Sequence, residues 1–306
     1  IAREPVWGNY LGMDIVGPPP PSSGGIHVIQ MLNILENYDV AELGYGSVAA
    51  IHLLAETMKI AFADRDAFTG DPAFLDVPVE RLLDKAYGLD RSTAINLDAA
   101  QTWGAGVGSG GEGDHTTHMT VVDRDGNVVS ATHTINSLFG ARYILGDTGM
   151  IANNYMHLFD PHPGRALSIV PGKRVPTSMS PVMGVKDGEL QFALGVVGGV
   201  RIFPSAMLAI VNLLAHGMSL QEAVEAPRVW TQGGVLELET EACSAAEGLQ
   251  AKGHETVQSV HLGGGMNGIR RLPDGGWEGA ACWRADGMAI ALGGSTARDG
   301  VRFKAE

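Results

Sequence analysis

The feature that most constrains this chain is a change of hydrophobic period at residue 116. Residues 101–115 (QTWGAGVGSGGEGDH) are laden with glycine and carry no apolar repeat, so they predict a linker. Thr116-Thr117-His118-Met119-Thr120-Val121-Val122-Asp123 then alternates apolar and polar residues, the period of a half-buried strand. A second alternating run, Asn127–Thr134, follows across Arg124-Asp125-Gly126. The Asp-Gly pair suits a tight turn, so the strands Thr117–Asp123 and Asn127–Thr134 predict a hairpin.

The junction also points to chemistry. A hydroxyl at the first position of a core strand, behind a structureless linker, can attack the carbonyl that precedes it. The His115–Thr116 bond then breaks, and the freed α-amine becomes the general base for the same side chain. The plain alternative is a glycine-rich loop ahead of a Thr-rich strand, since Thr is common in strands. Thr117 competes as nucleophile, although a period of two points it to the opposite face.

Around this junction the chain divides into a mostly helical block, 1–100, the linker 101–115, and a second block, 116–306. Residues 1–25 read as an extended lead-in with a proline run, ending in Ser22-Ser23-Gly24-Gly25. Apolar spacing predicts helices over about 26–36, 47–63 and 79–86. After the first hairpin, Pro181–Val185 and Glu189–Gly195 repeat the design across Lys186-Asp187-Gly188. Pro204–Ala215 predicts an apolar helix. Ser219-Leu220-Gln221-Glu222 is a capping box that opens a short helix stopping at Pro227. Further strands are expected near Val235–Glu239, Gly268–Leu272 and Met288–Leu292. Two hairpins between helix layers predict an α+β chain, an αββα sandwich in which both blocks form one domain.

Composition excludes several classes. Lys and Arg number 21 against 34 Asp and Glu, a formal net charge of −13, so no basic patch speaks for nucleic acid or an anionic membrane surface. There is no run of about 18 apolar residues to span a bilayer. Cys243 and Cys282 read as two free thiols. His115, His118, His157 and His162 lie on no ligand spacing backed by a carboxylate or Cys cluster, so neither a metal nor an organic cofactor is expected. Asp64-Arg65-Asp66 reads as a structural ion-pair or capping element.

The segment 116–140, TTHMTVVDRDGNVVSATHTINSLFG, resembles the signature of the γ-glutamyltransferase family (γ-glutamyl transpeptidases, or glutathione hydrolases), which belongs to the N-terminal nucleophile hydrolases. The match runs through Thr116, His118, Thr120, Gly126, Asn127, Val129, Thr132, Thr134, Asn136, Phe139 and Gly140. It continues upstream in Pro18–Gly25, Ala63-Asp64-Arg65 and Gly70-Asp71-Pro72. Downstream it takes in Asn153-Asn154, Gly172-Lys173-Arg174, Ser178-Met179-Ser180-Pro181 and Gly198-Gly199, so it covers nearly the whole chain. The resemblance implies the αββα fold, self-cleavage between His115 and Thr116 into two packed subunits, and attack by Thr116 on a γ-glutamyl or related amide. It implies that Thr134 bonds the nucleophile and that Gly198 and Gly199 supply an oxyanion hole.

For the acyl donor, the resemblance places Thr177 and Ser178 on a carboxylate and Asn136 on the α-amine, with Tyr155 at a neighbouring polar contact. The chain departs from the family at Leu158, where transpeptidases generally carry an aspartate. An ammonium against Leu without a counter-charge costs several kcal/mol. Residues 160–174 (DPHPGRALSIVPGKR) are short for the family's lid. Three readings follow: a γ-glutamyl enzyme, an acylase for carboxylate-bearing donors without the α-amine such as glutaryl or cephalosporin-type amides, or a silent binding homologue. The chain opens at Ile1, and the family places several hundred residues ahead of its nucleophile where 115 stand here. The expectation is therefore that more of the large subunit precedes Ile1. Any leader would lie there, so the compartment, periplasmic, secreted or cytoplasmic, stays open.

Overall fold

The first strands of the main sheet come from residues that the sequence pattern left as a lead-in. In the computed structural model, which describes residues 1–103, 116–165 and 167–292, β1 (Val6–Tyr10) and β2 (Met13–Gly17) form an antiparallel hairpin. Leu11 and Gly12 turn it with φ of 51° and 78°. Val6, Tyr10 and Ile15 point inward and are buried. The helix α1 (Gly24–Leu35) lies across this hairpin with all of its residues buried, the polar His27, Gln30 and Asn33 included. The approach is close enough that a Cβ on Gly8 would sit 2.2 Å from the Ile29 side chain.

A short helix α2 (Val40–Leu43) leads to α3 (Val48–Phe68), which Ser47 caps by accepting from the Ala50 N–H. α3 runs five residues beyond the predicted end at 63. The third predicted helix, 79–86, is two: α4 (Val79–Leu83) stops at Asp84, whose carboxylate accepts from Ala86 N and caps α5 (Lys85–Thr93). Local capping thus overrides a continuous apolar pattern.

After residue 115 come β3 (Thr116–Val122) and β4 (Val128–Thr134), then β5 (Val182–Lys186) and β6 (Glu189–Val196). The predicted apolar helix is α6 (Ile202–Leu214), and the Ser219–Glu222 capping box opens α7 (Leu220–Glu225) as expected. The chain closes with β7 (Val229–Trp230), β8 (Leu236–Glu239), α8 (Ala246–Ala251), β9 (Thr256–Ser259), β10 (Met266–Arg271) and β11 (Trp277–Ala281).

Six strands make one antiparallel sheet in the order β1-β2-β5-β6-β10-β11, so residues on either side of the 104–115 segment share a sheet through the β2–β5 pairing. Along β6, Phe192, Leu194 and Val196 join the core that α1, α3 and α6 complete. Gly195, on the alternate face, meets the β3–β4 hairpin: a Cβ there would fall 2.2 Å from the His118 ring. The Asn267 side chain on β10 donates to the His118 carbonyl (2.7 Å) and ties the hairpin down. Helix layer, sheet and hairpin account for three layers. On the hairpin's outer face Met119, Val121 and Val129 are 50–61% exposed, so the described residues do not supply a fourth.

The expected strand Met288–Leu292 does not form. Those residues run without regular structure and are highly exposed, and the sheet ends at β11 instead. An apolar run becomes a strand only where a neighbour offers it a ladder.

Candidate active site

Register places the two candidate hydroxyls together. Thr116, the first residue of β3, pairs with Thr134, the last residue of β4, and their Oγ1 atoms are 3.0 Å apart. Thr117 is exposed on the other face, as the period requires. The Asp123 carboxylate fixes the far end of the hairpin, accepting from the backbone N–H groups of Asp125 and Asn127 at 2.9 Å each. The Thr134 hydroxyl also accepts from the Asn136 N–H (2.9 Å). Asn136 has φ of 71°, a left-handed turn that Asn tolerates better than most residues.

That turn is locked by a residue sequence reasoning did not assign to the site. Asn154 Oδ1 accepts from Asn136 Nδ2 and from Ser137 N (both 3.0 Å), while Asn154 Nδ2 donates to Ser137 Oγ (2.9 Å). Asn154 precedes a single 3₁₀ turn, Tyr155–Leu158, and so seats it on the end of the hairpin. The Tyr155 N–H donates to Asn153 Oδ1 (2.9 Å). Its phenol reaches Thr177 Oγ1 at 3.4 Å and lies within hydrogen-bonding reach of Thr134. Thr116, Thr134, Tyr155 and Thr177 are therefore linked hydroxyl to hydroxyl. Burial pushes the Tyr155 phenol above its usual range, which keeps it a neutral donor.

Thr177 and Ser178 are held by the Pro-Ser-Gly segment near the N-terminus. Ser23 donates to the Thr177 carbonyl through both its N–H (2.8 Å) and its hydroxyl (2.9 Å), and Ser22 Oγ donates to the Met179 carbonyl (2.7 Å). Gly24 must be glycine, since a Cβ would stand 2.1 Å from the Met179 carbonyl oxygen. The sequence motif that holds Ser22 and Ser23 gives no sign of this role. Their partners lie more than 150 positions away, so no local pattern could reveal the contact.

Gly198 and Gly199 make the turn from β6 into α6 with φ of 128° and 59°. The turn is fixed by Val197 N donating to Gly265 O (3.1 Å), Gly264 N donating to Val197 O (2.7 Å) and Arg201 N donating to Gly198 O (3.1 Å). These bonds do not use the Gly198 and Gly199 N–H groups. The pair lies three and four residues beyond Gly195, on which the hairpin's His118 packs, and at the N-terminal, electropositive end of α6. His115 lies outside the described residues.

Arg174, three residues before Thr177, is paired with the Asp71 carboxylate (2.6 Å). Asp160, the acidic residue after the 3₁₀ turn, accepts from His162 Nδ1 (2.8 Å) and Arg165 NH1 (3.1 Å), and its bonds to His162 and Arg165 hold its pKa low. Leu158 is half-buried. His118 bonds Thr132 Oγ1 (2.8 Å) and Thr120 Oγ1 (3.0 Å), and burial lowers its pKa to about 4, so it is a neutral packing residue between hairpin and sheet. Asp64 takes bonds from Tyr87 (2.8 Å) and Arg91 (3.2 Å), the structural role expected of it.

Three residues that sequence spacing did not bring together, His52, Glu56 and His254, present buried donor atoms within 4.8 Å of one another. Their own hydrogen bonds explain the arrangement: His52 Nδ1 and His254 Nε2 are 2.8 Å apart, and the Lys59 ammonium sits 2.7 Å from Glu56 Oε1. A second cation at that carboxylate would meet the lysine. A cavity of about 490 Å³ lined by Lys186, Asp187, Glu189 and Arg271 lies at the opposite end of β6 from Gly198, so the candidate site rests on its chemistry rather than on that hollow.

The sequence profile of the family described as Gamma-glutamyltranspeptidase matches residues 1–292. The chain is 62% identical over 302 residues to the Acylase ACY 1 proenzyme of Pseudomonas sp. (strain SE83), covering 98% of this chain and 54% of that protein. It is 37% identical over 297 residues to the Glutathione hydrolase proenzyme of Escherichia coli (strain K12), covering 92% of this chain and 51% of that protein. The crystal structure of a cephalosporin acylase from Bacillus halodurans superposes with a TM-score of 0.84 at 27% identity, over 95% of this chain and 53% of that one. The chain thus spans about half the length of the relatives it matches.

Proposed function

The chain belongs to the γ-glutamyltranspeptidase family, and on that premise we propose that it is a self-processing N-terminal threonine hydrolase of amides. Cleavage between His115 and Thr116 frees the Thr116 amine, which takes the proton of the Thr116 hydroxyl as that oxygen attacks an amide carbonyl. Thr134 holds the nucleophile's oxygen at 3.0 Å. The Gly198 and Gly199 N–H groups receive the developing oxyanion, worth about 3 kcal/mol per donor. The amine leaves, an acyl-enzyme remains on Thr116, and water or a second amine resolves it. In this reading the fold is the αββα sandwich.

The observation that carries the reading is the Thr116–Thr134 pair at the open end of the hairpin, beside the linked hydroxyls of Tyr155 and Thr177. For the donor, the site favours an acyl group that ends in a carboxylate and lacks an α-amine, a glutaryl or cephalosporin-type amide. Leu158 offers an ammonium no counter-charge, and Asp160 is taken by His162 and Arg165. The relative at 62% identity is an acylase by name. A γ-glutamyl donor such as glutathione is the second reading, supported by Asn136 and by the glutathione hydrolase relative.

Turnover of glutaryl and γ-glutamyl p-nitroanilides by protein expressed from its complete coding sequence separates the two. The expected result is a higher kcat/KM for the glutaryl compound. Equal or better γ-glutamyl turnover would move the assignment to the second reading, and no turnover of either would favour a silent homologue.

A further inference from the structure

Tyr155 stands where the nucleophile's side of the site meets the donor's side. Its ring is carried on one 3₁₀ turn that Asn153 and Asn154 fasten to the hairpin end, so its position is set by the same element that presents Thr116. From there the phenol spans Thr134, which touches the nucleophile, and Thr177. At 3.4 Å the Tyr155–Thr177 contact is long for a bond between hydroxyls, which favour 2.7–2.8 Å. Both hydroxyls can therefore turn to a stronger acceptor.

The surroundings indicate what that acceptor is. Behind Thr177, Ser23 is itself contacted by the Arg65 guanidinium (Nε to Oγ, 3.3 Å). The N-terminus of α1, positive in its dipole, packs on Met179. Arg65 is itself paired with Asp66 (3.4 Å), so the preference for an anion at Thr177 rests on the α1 N-terminus. A neutral phenol strengthens that preference, because it can donate to a carboxylate but cannot balance an ammonium.

We propose that Tyr155 is the specificity-determining residue of this site, its O–H joining the Thr177 hydroxyl on the distal carboxylate of a short dicarboxylic monoamide. This rests on the reading of Thr116 as nucleophile and of the donor as a carboxylate without α-amine. In the free site the two hydroxyls meet through that long contact, Thr177 Oγ1 also accepting from the Met179 N–H (3.2 Å), and on binding each donates a charge-assisted bond instead. Tyr155 and Leu158, three residues apart on one turn, then share the discrimination, the first accepting the carboxylate and the second refusing the amine.

The test compares the glutaryl anilide with the pentanoyl anilide, which replaces the carboxylate by a methyl group. In Tyr155→Phe, which keeps the ring and its packing, the glutaryl-to-pentanoyl ratio of kcat/KM should fall ~10-fold, through KM, the size of a lost hydrogen bond to a charged group. Thr177→Val should lower the same ratio. A ratio unchanged in Tyr155→Phe, whatever happens to absolute rates, overturns the assignment and leaves Tyr155 a packing residue. A parent protein that shows no preference for the glutaryl over the pentanoyl compound defeats the underlying donor class instead.

Discussion

The Thr116–Thr134 hairpin and the turn that faces it are built on opposite plans. In β3–β4 the chemistry follows from regular structure. A period of two chooses which Thr points inward, and register brings Thr116 and Thr134 to 3.0 Å. On the facing side nothing is regular. The Tyr155–Leu158 turn is held by Asn153 and Asn154, and Thr177 is pinned by Ser22 and Ser23. A regular element can keep the reaction constant, while an irregular one changes what it accepts through one or two side chains. On this account the hairpin fixes what the site does to a bond, and the turn fixes which molecule carries it.

The sharpest way to break the contrast is Thr116→Ala, which should abolish both chain cleavage and amide turnover, about 10⁴-fold or more below the parent. Residual turnover near the parent level would remove the hairpin from the chemistry. Acid tests the hairpin's seat. Burial lowers the pKa of the hairpin's His118 to about 4 from 6.5, so the folded state binds fewer protons than the unfolded one. Stability should be full above pH 6.5 and fall as pH drops toward 4, by up to about 3 kcal/mol from this group. Denaturant titrations at pH 7.5 and 4.5 would read this, and equal midpoints would contradict it.

Leu158→Asp tests the other side. It should shift the preference toward the γ-glutamyl anilide over the glutaryl by about 30-fold, roughly 2 kcal/mol, by giving the amine a counter-charge. A comparable loss on both donors would make the turn a scaffold like the hairpin. Gly195→Ala pushes a methyl group into the His118 ring and should cost about 1–3 kcal/mol in thermal unfolding. Thr134→Val, which keeps the shape of the strand residue and removes its hydroxyl, should slow turnover about 10-fold with KM little changed.

What could be read in advance follows the same division. The hairpin, its Asp-Gly turn and the Ser219–Glu222 capping box were legible because each is a local pattern with a local cause. The β1–β2 hairpin was not, because Gly8 occupies an inward position where α1 comes too close for a side chain, and Trp7 is more than half exposed. That breaks the apolar alternation a strand would show. Met288–Leu292 failed for the converse reason, a strand-like run that no strand among the described residues pairs with. In the candidate site, Thr116, Thr134 and the two glycines are proposed from the motif, whereas the lock made by Asn154 and the seat made by Ser22 and Ser23 exist only through contacts distant in sequence.

The whole mechanism depends on Thr116 acquiring a free amine. Intact mass and N-terminal sequencing of freshly purified protein, expressed from its complete coding sequence beside the Thr116→Ala variant, examine that directly. The expected result is two chains in the parent, the second beginning Thr-Thr-His-Met, and a single uncut chain in the variant. A parent that stays whole, or is cut elsewhere, yet hydrolyses its amide would contradict it.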